Sequence, residues 1–217
     1  RPGGKNKMKK IISAVLMLFA AALAFSAPAE AREYDAANPP KPGERARAVL
    51  RALNASQNPV YLKYRTRAED GSATVTFASS GGMAYTDVES PGGRISTLYD
   101  ARTQNVTIIS HDTKSYVVAP SAPAVVPFEE TLERAAGGGG FTASSGSGKI
   151  NGARYDFDKI VWEDGTEETL YFLPMTDTLK WWRVNDELSE VLEYGSRGVK
   201  DEFFKIPAGY KETKLPM

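Results

Sequence analysis

Apolar and polar residues alternate with a period of two over most of the chain from Val60 onward. The first run carries Val60, Leu62 and Tyr64 in phase, and the alternation resumes over residues 73–77 after Asp70-Gly71, which predicts a β-hairpin. Successive side chains of a strand point to opposite faces of a sheet, so this pattern gathers apolar groups on one face. We therefore expect a sheet that is covered on one side only.

Eight more runs show the same alternation, and turns rich in glycine, serine and aspartate separate most of them. They cover residues 83–88, 94–99, 106–110, 115–119, 153–162, 168–173, 179–185 and 190–195. Short strands at this spacing predict two antiparallel meanders with about ten strands in all. A shift of one residue in any strand would exchange its two faces, so the alternation leaves open which face is the inner one.

Two segments interrupt the alternation with a helical period. Within residues 43–54, apolar residues lie at i, i+3, i+4 and i+7 from Ala46, which predicts one amphipathic helix. Residues 128–136 predict a second, short helix inserted between the two meanders. The glycine- and serine-rich stretch 137–148 that follows is predicted to be the most flexible internal segment.

The segment from Met8 to Ala31 has the organisation of a secretory signal peptide. Two lysines precede an apolar run over residues 11–25, and Ala29-Glu30-Ala31 forms a cleavage site. The apolar run is shorter than the ~20 residues of a spanning helix and is followed by Pro28, which favours cleavage over retention as a membrane anchor. We predict a periplasmic or secreted bacterial protein that is cut near Ala31 and does not span a membrane afterwards.

The predicted organisation has three parts. Residues 1–31 comprise an upstream extension and the signal peptide, residues 32–42 form a flexible lead-in, and residues 43–217 form a single domain. No cysteine is present, so the stability of the domain must come from buried apolar surface. The chain has 27 basic and 27 acidic residues, of which the first 31 positions hold five basic and one acidic. The remainder is mildly acidic, so we expect no nucleic acid partner.

Candidate catalytic residues are few. His111 is the only histidine and stands beside Asp112 in a predicted turn, so we interpret it as solvated rather than as a general base. Three glutamates of the second predicted helix, and Asp156 and Asp158 of a strand, are interpreted as solvated polar faces, with a calcium site at the two aspartates as the alternative. No phosphate-binding pattern is present. We expect no enzymatic activity, no metal and no cofactor.

The chain closes with Phe204-Lys-Ile-Pro-Ala-Gly-Tyr-Lys211, and Ile150-Asn-Gly152, Asp164-Gly165 and Thr169-Leu-Tyr-Phe172 mark the second meander. With the order of signal peptide, helix, long meander, short helix and second meander, these segments resemble the LolA/LolB-like superfamily, in its branch of uncharacterised outer-membrane lipoprotein-sorting-like proteins. The resemblance implies a mainly β (α+β) fold. This fold is an unclosed, strongly curved antiparallel β-barrel of about ten strands, with the N-terminal helix and the short inserted helix covering the concave face.

Carriers of that superfamily hold the acyl chains of lipoproteins inside the half-barrel. The alternation selects ten residues that would line the corresponding cavity here: Leu62, Tyr64, Val75, Phe77, Met83, Tyr85, Val106, Ile108, Tyr171 and Trp181. The resemblance implies an exported, non-enzymatic protein that shelters a lipid, acyl chain or other apolar ligand, with a role in lipoprotein handling. The alternative is an envelope protein-interaction or stress-sensor module with a packed interior, in which one indole of Trp181-Trp182 faces a partner.

Overall fold

The structure is a computed structural model that describes residues 34, 39–53, 59–68, 71–120 and 140–213. The predicted signal peptide and the predicted short helix over residues 128–136 lie outside the described residues. The described part contains one α-helix, α1 (Glu44–Leu53), twelve strands and a 3-10 helix at Asp201–Phe204. No helix in this part of the chain is both long enough and apolar enough to cross a membrane.

The twelve strands include all ten predicted runs. They are β1 (Val60–Ala68), β2 (Gly71–Ser80), β3 (Met83–Ser90), β4 (Gly93–Asp100), β5 (Asn105–Ser110), β6 (Ser115–Pro120), β7 (Phe141–Ile150), β8 (Ala153–Trp162), β9 (Glu167–Phe172), β10 (Leu179–Val184), β11 (Glu187–Gly195) and β12 (Lys211–Glu212). The two additional strands are β7 and β12, so the expected number of about ten is too low.

All twelve strands form one sheet in the order β12-β6-β5-β4-β3-β2-β1-β11-β10-β9-β8-β7. Neighbouring strands are antiparallel except for β12, which runs parallel to β6. The two meanders join where β1 pairs with β2 on one side and with β11 on the other. Because β12 and β7 lie at the two ends and do not pair with each other, the sheet is not closed. The prediction of a mainly β, unclosed antiparallel sheet is confirmed.

Strand β7 lies in the stretch that was predicted to be flexible, and it pairs with β8 over its full length. Its small residues leave room for an aromatic ring from the neighbouring strand. A Cβ placed on Gly146 would lie 2.8 Å from Cζ of Phe157, so the ring rests directly on the β7 backbone. Asn151 and Gly152 take φ values of 50° and 82° in the tight turn between β7 and β8. The prediction of a flexible segment is wrong for residues 141–148.

Helix α1 packs its apolar side against one side of the sheet, which we call the α1 face and which carries Leu62, Val75 and Leu170. The buried residues of α1 include the four that predicted it: Ala46, Val49, Leu50 and Leu53. The helix contacts mainly β8 and β1, although β9, β10 and β11 lie between these two strands in the sheet. A curled sheet is consistent with such a contact.

The other side of the sheet has a core of its own, and we call this side the C-terminal face. Its buried residues are Tyr61, Ala78, Tyr85, Leu98 and Ile109, and the C-terminal segment (residues 199–212) packs over them. Phe203 stacks on Tyr61 and Tyr85 with ring centroids 6.0 Å and 5.0 Å apart. The expectation of a sheet covered on one side only is wrong, because the end of the chain covers the other side.

Candidate functional site

Cross-strand partners share a face of an antiparallel sheet, so the register assigns each predicted lining residue to one side. Six of the ten lie on the α1 face: Leu62, Tyr64, Val75, Phe77, Val106 and Ile108. Four lie on the opposite side: Met83, Tyr85, Tyr171 and Trp181. The prediction that all ten share one face is therefore wrong for these four, whereas ligand contact by the other six stays a prediction.

The error concerns which of the two faces of a strand meets α1. In the Trp181-Trp182 pair, Trp182 pairs with Leu170 on the α1 face, whereas Trp181 pairs with Tyr171 on the other side. The alternation within a single strand separates two faces, but only pairing with a neighbour shows which of the two meets α1. Strands β3, β9 and β10 carry apolar or aromatic residues on both faces, and this removes the contrast on which the prediction depended.

The six residues on the α1 face differ in burial. Leu62, Tyr64, Val75 and Phe77 belong to the filled core that includes α1. Val106 and Ile108, nearer the β6 side, are only half-buried. The half-buried aliphatic residues on this face of β3 to β6 are Val88, Ile95, Val106, Ile108 and Val117, which we call the aliphatic patch. The incompletely covered apolar surface of the α1 face therefore lies away from the centre of the sheet.

A carboxyl group lies between two indoles on the α1 face. Trp162 Nε1 donates to Glu168 Oε1 at 2.9 Å, and Trp182 Nε1 donates to Glu168 Oε2 at 3.1 Å. The three residues come from the neighbouring strands β8, β9 and β10, so the two indoles hold the carboxyl group from either side. We call Trp162, Glu168 and Trp182 the indole clamp.

The surroundings of the indole clamp disfavour a charge on Glu168. Desolvation by burial raises the pKa of this carboxyl group, the hydrogen bonds from Trp162 and Trp182 lower it in part, and the charge of Asp164 raises it further. The residue as a whole nevertheless keeps some solvent exposure. A buried carboxyl group with a raised pKa in aromatic surroundings is typical of functional sites.

Sequence reasoning did not identify Glu168, although a signal for it was present. Within β9, Glu168 is in phase with Leu170 and Phe172, which are fully buried on the α1 face. A charged residue that is in phase with buried apolar residues is uncommon and requires a partner or a function.

The two aspartates that were interpreted as a solvated face lie at the beginning of α1. Asp158 is fully buried and accepts hydrogen bonds from the Ala46 N–H at 3.1 Å and from Ser145 Oγ at 2.6 Å. Arg45 Nη2 lies 3.4 Å from Asp158 and Arg45 Nη1 lies 3.9 Å from Asp156. The solvated interpretation is wrong for Asp158, because this carboxylate stabilises the helix N-terminus and pairs with a buried guanidinium.

His111 is also less solvated than expected. Its Nε2 lies 2.6 Å from Ser96 Oγ, and its Nδ1 lies 2.9 Å from the Tyr210 hydroxyl group. Because the Ser96 hydroxyl donates to Asp87 at 2.6 Å, the imidazole donates from Nε2 and accepts from Tyr210 at Nδ1. Burial, followed by the charge of Arg94, lowers the pKa of His111. The side chain is 16% exposed, so the interpretation as a solvated turn residue is wrong.

The group of Ser96, His111 and Asp87 does not have the geometry of a nucleophilic triad. In a triad the carboxylate binds the imidazole nitrogen that does not face the serine. Here Asp87 lies 3.7 Å from Nε2, the nitrogen that also contacts Ser96, and Tyr210 occupies Nδ1. Ser96 is 1% exposed, so a substrate has no access to its hydroxyl group.

A cavity of about 360 Å³ lies on the C-terminal face, between β3 to β6 and residues 204–206. Its lining is mixed: Met83, Leu98, Val118, Phe204 and Ile206 are apolar, and Asp100, Thr103, Asn105, Thr107 and Lys205 are polar. Met83 is one of the ten residues that were predicted to line a cavity, and it lines this one. Within residues 39–53, 59–68, 71–120 and 140–213, no group of three or more acidic, histidine or cysteine side chains is arranged to hold a metal ion.

Comparison with known proteins gives distant likenesses. The sequence matches no protein-family profile and no curated protein. An uncharacterized conserved protein from Thermus thermophilus has a TM-score of 0.46 at 10% identity, over 73% of this chain and 91% of that chain. The structure of PNGF-II in space group C2 has a TM-score of 0.36 at 11% identity, over 72% of this chain and 31% of that chain. Similarity at this level does not assign a function.

Proposed function

We propose that this protein is an exported, non-enzymatic binding protein of the bacterial cell envelope that shelters a lipid or acyl chain on the α1 face. The observation that carries the proposal is the aliphatic patch, whose members are only half-buried although they face the same side as the core. Apolar surface left in water costs ~25 cal/mol per Å², and an acyl chain lying on the patch would recover this free energy. Aliphatic groups without polar partners match a hydrocarbon chain better than a polar substrate.

The finer architecture belongs to the same proposal. A sheet curved around the α1 face would form a half-barrel, and the contact of α1 with both β1 and β8 supports this curvature. The resemblance to the LolA/LolB-like superfamily supports the same arrangement, because its carriers hold acyl chains in such a half-barrel. Export to the periplasm follows from the predicted signal peptide, and lipoprotein handling is the corresponding role.

The test compares two variants, each of which introduces one glutamate into β6. The two positions are adjacent and lie on opposite faces of the strand. Val117→Glu introduces a charge into the aliphatic patch, so we expect the affinity for a fluorescent fatty acid to fall about tenfold or more. Val118→Glu is the matched control, because Val118 is 41% exposed and lies on the C-terminal face. We expect this control to bind like the wild type. Mass spectrometry of the native protein should also find co-purifying lipid.

Two results would contradict the proposal. If Val118→Glu weakens binding and Val117→Glu does not, the ligand occupies the cavity on the C-terminal face, which Val118 lines. If the wild type neither binds the fatty acid nor carries lipid from its native envelope fraction, it is not a lipid-binding protein.

A second candidate function is that of an envelope protein-interaction or sensor module. The observation that favours it is β7, a ten-residue strand at one end of the sheet with mostly exposed side chains. Among the described strands only β8 pairs with it, so its other edge can accept a strand from a partner. Hydrogen exchange separates the two candidates: a partner slows the β7 amides, whereas a lipid slows those of β5 and β6.

A further inference from the structure

Glu168 of the indole clamp has fewer partners than a buried carboxylate requires. A carboxylate has four acceptor positions, and each of its oxygens here receives one indole N–H. In the described part of the chain, no basic side chain pairs with it. Both donors are neutral, so they satisfy part of the hydrogen-bonding capacity without balancing the charge. The clamp is thus an acceptor site with unused capacity.

Aromatic rings extend the clamp on both sides. Phe141 lies against Trp162 with ring centroids 5.7 Å apart, and Tyr64 lies against Trp182 with centroids 6.4 Å apart. In both pairs the ring planes are inclined by 59°. The negative face of an aromatic ring attracts an organic cation, and tryptophan does so most strongly.

The clamp has acidic neighbours. Glu168 pairs across the sheet with Val184, and Val184 pairs with Glu187, which places both glutamates on the α1 face. Asp164 acts on Glu168 with a further negative charge. Among the described cations, Arg47 lies over the Phe141 ring at 5.9 Å. Its guanidinium donates to the Gly43 carbonyl group at the beginning of α1.

We infer that the indole clamp binds a cationic head group, so that the ligand sheltered on the α1 face is an amphiphile with an ammonium group. This inference rests on the proposed function and specifies its ligand. The ammonium group donates to the free acceptor positions of Glu168 and contacts the aromatic faces, while the hydrocarbon chain covers apolar residues of the α1 face. A cation supplies the charge that the two indoles lack.

The experiment compares ligands with the same hydrocarbon tail and different head groups, below their micelle concentrations. We expect wild-type protein to bind dodecylammonium about tenfold or more tightly than dodecyl maltoside, and dodecanoate more weakly than both. Titration calorimetry gives the affinities, and tryptophan fluorescence in a Trp181→Phe background, which leaves Trp162 and Trp182, reports binding at the clamp. The preference for the cation should increase with pH as Glu168 ionises, because its pKa is raised.

Glu168→Gln should remove the preference, so that the variant binds dodecylammonium no more tightly than dodecyl maltoside. Glu167→Gln is the matched control, since the exposed Glu167 lies on the opposite face and pairs with Lys159 at 2.6 Å. This control should keep the preference. The head-group comparison on the wild type needs no variant, so it stands even if Glu168→Gln fails to fold.

The outcomes separate this inference from the proposed function. If wild-type protein binds dodecyl maltoside or dodecanoate as tightly as dodecylammonium, the inference is wrong and the lipid-binding function stands. If it binds none of the three, the proposed function fails and the inference with it. If Glu167→Gln loses the preference as fully as Glu168→Gln, the effect is one of overall charge and the inference is wrong.

Discussion

Two buried carboxyl groups of this protein have different kinds of partners. Asp158 accepts from a backbone N–H, a hydroxyl group and a guanidinium, and the guanidinium balances its charge. Among the described residues, Glu168 accepts from two indoles and pairs with no basic side chain. A buried charge with a counter-charge contributes to structure, whereas one without a counter-charge leaves free energy for a ligand to recover. The first group therefore belongs to the fold and the second to the candidate site.

Asp158→Ala should destabilise the protein by about 3–5 kcal/mol, because Arg45 is left buried without its main counter-charge and the N-terminus of α1 loses an acceptor. Urea denaturation measures the free energy of unfolding. Asp156→Ala is the control: Asp156 lies 3.9 Å from Arg45 with its side chain 20% exposed. Removing it should cost about 1 kcal/mol. If the two variants lose the same free energy of unfolding, the cost does not depend on how deeply the carboxylate paired with Arg45 is buried.

Strand β7 shows how an element can form without an apolar pattern of its own. Its sequence is mainly serine, glycine, threonine and alanine, which have little apolar surface to bury. Pairing with β8 supplies its backbone hydrogen bonds, and Phe157 covers the backbone at Gly146. A ring lying over a strand glycine shields the backbone from water and offsets the low strand propensity of glycine. The neighbouring strand thus determines this element.

Gly146→Val should destabilise the protein by about 1–3 kcal/mol, because a Cβ at this position meets the Phe157 ring at 2.8 Å. Thermal unfolding of the variant gives the loss. Ser144→Val places the same side chain two residues earlier on the same face of β7, at an exposed position. This control should change stability by less than about 0.5 kcal/mol. If both variants unfold at the same temperature, the ring does not lie on the β7 backbone.

Two segments, one before β1 and one after β11, each cover part of one face of the sheet. Helix α1 covers the face that carries the candidate site, and the C-terminal segment covers the other face. The hydrogen bond from Tyr210 to His111 and the parallel pairing of β12 with β6 hold the C-terminal segment in place. One of these attachments contains a group that titrates near neutral pH.

The C-terminal segment should loosen as the pH falls below about 6.5, the ordinary pKa of histidine. The folded protein lowers the pKa of His111. The contribution of His111 to stability is therefore complete above the ordinary pKa of histidine, and it is lost as the pH falls through the lowered pKa. Hydrogen exchange at about pH 7.5 and about pH 5 measures the effect. The amides of residues 199–212 should exchange faster relative to those of β2 and β3. With His111→Gln this pH dependence should disappear, and its persistence would assign it to another group.

Sequence patterns predicted the strands that have a polar and an apolar face. In β1 and β2 the alternation selected the face that meets α1, and the structure has both strands. The patterns selected the wrong face where apolar or aromatic residues occupy both phases of a strand, as in β3, which places Ala84 on the α1 face and Tyr85 on the C-terminal face. They also failed for β7, which has no apolar side chain over residues 144–149. In each failure, the missing information concerns a neighbour that is distant in the sequence.

The sequence by itself determined the elements of this protein: one amphipathic helix, a series of short strands, and their antiparallel connection through tight turns. These features depend on residues within a few positions of one another, and local periodicity reports them. Tertiary structure alone decided which face of each strand meets α1, that the end of the chain covers the other face, and that two tryptophans from different strands meet Glu168. Those outcomes depend on register and burial between distant segments, and no local pattern encodes them.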